Sequence, residues 1–99
     1  MSLSEEFFSS LVSFRRVKKE LLDIVKSYDK DIDYYNNSVP DINFYEYTDS
    51  IDITISFNTG SIPFGVIREV NEFMGFDCSK ISSSVGHAII LHYVKYLEG

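Results

Sequence analysis

A chain of 99 residues, 44 % hydrophobic and 24 % charged, has the size and composition of one globular domain that folds without disulfides or metals. Its formal charge of −6 opposes broad binding to nucleic acid or anionic membranes, which requires a basic surface. The single cysteine excludes an intramolecular disulfide and a multi-thiolate metal centre, and fits a reducing cytoplasm.

The expected organisation is one domain over residues 1–99, with 1–3 and 98–99 read as vector-derived flanks. The beginning of the chain lacks the basic region, apolar block and small-residue site of a secretory leader. No apolar run approaches the roughly 20 residues that cross a bilayer.

The periodicity predicts a helix over residues 4–28. Phe7, Leu11, Phe14, Val17, Leu21, Ile24, Val25 and Tyr28 recur at three- and four-residue steps and line one face. Ser4 is placed to cap it, with Glu5 and Glu6 in the first turn. Such a helix outruns a typical strand, so Phe7, Phe8 and Leu11 are expected to overhang the sheet as a contact surface. Residues 29–41 read as a polar loop closing at Val39-Pro40-Asp41, with Ile32, Tyr34 and Tyr35 as possible anchors or a short strand.

Residues 43–48 and 51–57 predict a hairpin turning at Asp49-Ser50. Ile51, Ile53, Ile55 and Phe57 alternate with Asp52, Thr54 and Ser56, giving one buried and one wet face. Phe44 alternates with Tyr45 and Tyr47, so both faces of the first strand carry aromatic surface. Asn58-Thr59-Gly60-Ser61 breaks the strand and Pro63 opens a second helix, with Val66, Ile67, Val70, Phe73 and Met74 on its apolar face. Gly75 supplies a left-handed cap, after which Phe76 can fold back on Val70. The last segment reads as a hairpin, 78–84 with 88–97, turning near Gly86; a helix over 88–97 is the alternative. The expected fold is therefore an α+β two-layer sandwich, α-β-β-α-β-β, with a four-stranded antiparallel sheet and two helices on one face. The helical alternative gives α-β-β-α-α.

Candidate chemistry is sparse. His87, His92 and Cys78 are the only soft ligands or nucleophile–base candidates, and five-residue spacing points the two histidines to opposite faces of a strand. Asp29, Asp31 and Asp33 open like a calcium loop, but Tyr34 stands where that loop needs Gly and Pro40 where it needs Glu. No catalytic residue, cofactor or metal is expected. Arg15, Arg16, Lys18 and Lys19 make the first helix basic, but Glu20 and Asp23 lie four residues from Arg16 and Lys19 and can pair with them. Tyr28, Tyr34, Tyr35, Tyr45 and Tyr47 form the most distinctive cluster, and tyrosine is enriched at protein interfaces.

The resulting expectation is a small, acidic, non-catalytic cytoplasmic protein that binds another protein and self-associates as a homodimer. Tyr34, Tyr35, Tyr45, Tyr47, Phe7 and Phe8 are its contact residues. The alternative is a nucleic-acid-associated protein, acting through Arg15, Arg16, Lys18 and Lys19 or as an acidic mimic of a phosphate backbone.

Overall fold

The computed structural model describes residues 14–35, 38–84 and 88–96. The expectations for the Ser4 cap, Phe7, Phe8, Leu11, Gly86, His87 and the two flanks lie outside them.

Helix α1 spans Phe14–Lys26 and buries Val17, Leu21 and Val25 at successive four-residue steps. It stops two residues before the expected end because its hydrogen bonds tighten. The Ser27 N–H is shared between the Asp23 and Ile24 carbonyls at 3.2 Å, and the Tyr28 N–H returns to Val25 O at 3.0 Å. Bonds of this shorter reach wind the chain into a 3-10 turn at Asp29–Asp31. The connection that follows is anchored rather than loose. Ile32 is buried in the core, the Tyr35 N–H donates to Asn58 O at 2.8 Å, and the Thr59 hydroxyl donates to Asp33 O at 2.9 Å.

Strands β1 (Asp41–Glu46) and β2 (Ser50–Phe57) form the expected antiparallel hairpin, with Phe44 opposite Ile53. β1 begins and ends two residues earlier than its pattern suggests. It starts directly after Pro40, and the Tyr47 N–H closes the turn on Ser50 O at 2.8 Å. Ser50 joins β2 instead of the turn because Tyr96 pairs with it from the other side.

Helix α2 (Phe64–Met74) follows Pro63 and ends at Gly75, whose φ of 87° permits its N–H to reach Asn71 O. Phe76 then lies edge-on to Tyr93, with ring centroids 5.9 Å apart. Strands β3 (Lys80–Ser84) and β4 (Ala88–Tyr96) complete an antiparallel sheet of order β1-β2-β4-β3. The helical alternative for residues 88–97 is overturned, since β4 pairs with both β2 and β3. Its apolarity on both faces suits a central strand.

One core joins the layers. Val17, Leu21 and Val25 of α1 and Val66, Val70 and Met74 of α2 meet Ile42, Ile51, Ile53, Ile55, Phe57, Leu91 and Tyr93 of the sheet. The sheet residues share one face by register, so both helices cover the same side. Burying each of these large side chains contributes about 1.5–3 kcal/mol relative to exposure. On this side Phe44 also meets Phe14, with ring centroids 4.8 Å apart.

Candidate functional site

Because Ile51, Ile53, Ile55 and Phe57 enter the core, Ser50, Asp52, Thr54 and Ser56 emerge on the opposite face. Pairing register adds Asp41, Asn43 and Tyr45 from β1, and Ile90, His92, Val94 and Tyr96 from β4. Lys80 and Ser82 join them from β3. Neither described helix covers this face.

Aromatic surface gathers at one end of it. Tyr45 is 47 % exposed, Tyr47 54 % and Tyr96 72 %. Tyr47 and Tyr96 flank Ser50 from the two neighbouring strands, and Tyr45 stands beside Asp52 in the adjacent row. Tyr45 and Tyr47 are thus brought together as the sequence suggested. Tyr96 is a third member that sequence reasoning missed, since only the pairing of β4 with β2 carries it there.

A polar chain occupies the centre. His92 Nδ1 lies 3.5 Å from Asp52 Oδ2, and its Nε2 lies 3.0 Å from Ser82 Oγ. Both contacts run diagonally between rows of the sheet, because Asp52 is paired with Val94 and Ser82 with Ile90. With the ring proton on Nδ1, the imidazole faces the carboxylate and Nε2 accepts from the serine hydroxyl. Asp52 Oδ1 is buried and has no hydrogen-bond partner. Thr54, between these groups and Asn43, is only 6 % exposed. The order Ser–His–Asp is that of a nucleophilic triad, but here the serine stands on an edge strand of an open face. Two concave surfaces among the described residues lie elsewhere, one lined by Phe64, Arg68 and Phe76 and the other by Lys26, Tyr34 and Pro40, and neither includes Ser82, His92 or Asp52. The arrangement orders the middle of the sheet face and presents a hydroxyl and an imidazole to whatever lies on it.

The other sequence candidates separate. Cys78 does not address the His92 ring: its thiol donates to the backbone carbonyls of Lys80 at 3.2 Å and of His92 at 3.5 Å. Tyr34 is drawn into the fold, where it lines a cavity of about 320 Å³ with Lys26, Asp29 and Asp33. Burial, and then the Asp29 charge, push its phenol up to about 12. Tyr35 is exposed but is tied to Asn58, just past the far end of β2, roughly a strand length of about 20 Å from Tyr47. The five tyrosines therefore do not form one cluster: only Tyr45 and Tyr47 share the open face. Tyr28 belongs with neither the open face nor its rim; its hydroxyl sits against Gly65 of α2.

Among the described residues no group of three or more His, Cys, Asp or Glu side chains is arranged to hold a metal. Arg15, Arg16 and Lys19 are exposed on α1 while Lys18 is half-buried. Among the described residues no ion pair joins Arg16 to Glu20 or Lys19 to Asp23. Exposed long side chains gain little from such pairs and remain solvated. No described helix is long and apolar enough to cross a membrane. In comparisons with known proteins no family model matches this chain, and neither curated proteins nor solved structures give a significant match.

Proposed function

We propose that this chain is a small non-catalytic interaction module that self-associates, using as its contact surface the tyrosine end of the sheet face that neither described helix covers. The observation that carries this reading is the convergence of Tyr45 on β1, Tyr47 just past it and Tyr96 on β4, all substantially exposed, although β2, α2 and β3 lie between them in the sequence. Tyrosine offers large contact area with a polar tip and few rotatable bonds, so covering it is favourable at small entropic cost. The polar centre behind the tyrosines suits a partner that is also protein, because hydroxyl, imidazole and amide groups there can exchange hydrogen bonds with side chains. The single cysteine, its thiol bonded to backbone carbonyls, supports placing the module in the cytoplasm.

The test is sedimentation of the full chain over a wide concentration series, beside the double variant Tyr45→Ala/Tyr47→Ala. The wild-type chain is expected to gain mass with concentration, and the variant to stay monomeric with an unchanged circular dichroism spectrum. Equal association by both proteins would remove this end of the face from the reading.

A second reading rests on α1, where Arg15, Arg16 and Lys19 are exposed and, among the described residues, Arg16 and Lys19 make no ion pair with Glu20 or Asp23. It makes the chain a nucleic-acid-associated protein. Retention of a DNA duplex that falls with salt and disappears when Arg15, Arg16, Lys18 and Lys19 are changed to Glu would favour it.

A further inference from the structure

We infer that the partner seated on the sheet face opposite the two described helices is a second copy of this chain, related by a two-fold axis that runs parallel to the strands between β2 and β4. The inference rests on the self-association reading and adds to it the symmetry and the residue pairs that face one another.

The sheet order is β1-β2-β4-β3. An axis along its middle lays β1 of one copy over β3 of the other, and β2 over β4. The open face of β1 presents Asp41 and Asn43, joined by the Asn43 amide donating to Asp41 Oδ2 at 3.0 Å. The open face of β3 presents Lys80 and Ser82. Register sets these pairs in matching rows: Asn43, Thr54, His92 and Lys80 lie across one row, and Asp41, Ser56, Ile90 and Ser82 across the next. A carboxylate and an amide therefore meet an ammonium and a hydroxyl, once on each side of the axis. Lys80 and Asp41 are one row apart, which the lysine side chain can span. An axis across the strands would instead lay β1 on β1 and β3 on β3, so the acidic edge would face its own copy and the basic edge likewise.

Shape favours the same axis. β3 begins at Lys80, opposite His92, whereas β1 runs on to Glu46, opposite Ile51. At the tyrosine end the sheet thus lacks its fourth strand, and the Val94 N–H is met there by the Ser79 hydroxyl at 3.0 Å. Under this axis Tyr45 and Tyr47 of one copy descend where β3 of the other has ended, and reach the half-buried Val94 and exposed Tyr96 of its β4.

Four strands about 4.8 Å apart and about 20 Å long span roughly 400 Å² of projected face. Side-chain relief brings this toward the roughly 600 Å² per partner at the lower end of specific interfaces, so the dimer forms in the micromolar range rather than the nanomolar.

The experiment is sedimentation equilibrium on the full chain with Lys80→Asp, Asp41→Lys and both changes together, each verified as folded by circular dichroism. Both side chains are exposed, so the fold does not depend on them. Each single reversal is expected to weaken dimerisation about tenfold or more, and the double reversal to recover most of that loss. A double variant no better than the singles, or singles without effect, would overturn the proposed axis. If Tyr45→Ala/Tyr47→Ala still abolishes association in that case, the interaction face stands and only the symmetry falls. A wild-type chain that remains monomeric across the series sinks both.

Discussion

The Tyr93 hydroxyl donates to Asn71 Oδ1 at 2.6 Å, tying the middle of β4 to the last turn of α2. The same oxygen accepts the Cys78 backbone N–H at 3.0 Å. One amide thus satisfies a phenol in the core and the chain segment that leads into β3. Burial first, and the neighbouring Cys78 second, hold the Tyr93 phenol well above the ordinary tyrosine range, so it serves only as a neutral donor. Asn71→Ala orphans both donors and is expected to lower stability by about 1–3 kcal/mol, the cost of leaving buried polar groups unpaired. Tyr93→Phe should cost less, because Cys78 still satisfies the acceptor. Urea unfolding of the two variants checks this, and an Asn71→Ala loss below that of Tyr93→Phe would contradict it.

Asp52 and His92 form a pair whose members do not contribute alike. Among the described residues His92 is the one ionisable partner of Asp52, and Asp52 Oδ1 already lacks a hydrogen bond. His92→Ala leaves a mostly covered carboxylate alone on the face and should cost about 1–2 kcal/mol. Asp52→Val/His92→Val removes the orphan together with its partner and should come out near neutral, since apolar replacements of both members often match or better a covered polar pair. Thermal melts at neutral pH order the two proteins. A double variant less stable than His92→Ala would show that the polar chain stabilises the sheet outright.

Alkali should destabilise the fold through its covered phenols. The Tyr34 phenol rises from 10.0 to about 12 on folding, mainly through burial, so the folded state holds its proton more tightly than the unfolded chain. Its contribution is fully present below pH 10.0 and is lost as pH rises toward about 12. Tyr93 shifts in the same direction and adds to the loss. Absorbance of ionised tyrosine, followed with circular dichroism, should show a phase that coincides with unfolding. A single phase complete before any loss of structure would refute the assignment.

The glycines at the two ends of α2, Gly65 in its first turn and Gly75 just past its last, should respond differently to alanine. Gly75 sits at φ 87°, a conformation that a side chain strains, and Gly75→Ala is expected to cost about 1 kcal/mol. A Cβ at Gly65 would approach the Tyr28 hydroxyl at 2.8 Å, the free end of a side chain able to shift. The helical preference for alanine offsets that displacement, so Gly65→Ala should change stability by less than about 0.5 kcal/mol. Chemical unfolding midpoints for the two variants decide the matter.

Local chemistry determined much of this molecule. The apolar steps through Val17, Leu21 and Val25, the alternation from Ile51 to Phe57, and the punctuation by Pro63 and Gly75 place the described elements to within about two residues, because each signal acts over a few neighbouring positions. Alternation also separated the core side of β2 from its wet side. It could not say which strand would lie beside β2. That choice is made by the pairing of Ile53 with Tyr93 and Ile55 with Leu91, contacts that cross α2 and β3 and pay off only when the whole core closes. From it follow the meeting of Asp52, His92 and Ser82, the arrival of Tyr96 beside Tyr47, and the matching of Asp41 and Asn43 with Lys80 and Ser82. The same long-range packing drew Tyr34 inward and left Tyr45 outside, although both stand among polar neighbours in the sequence. Side-chain periodicity fixes which face a residue takes; strand order and register, settled by tertiary burial, decide its company there.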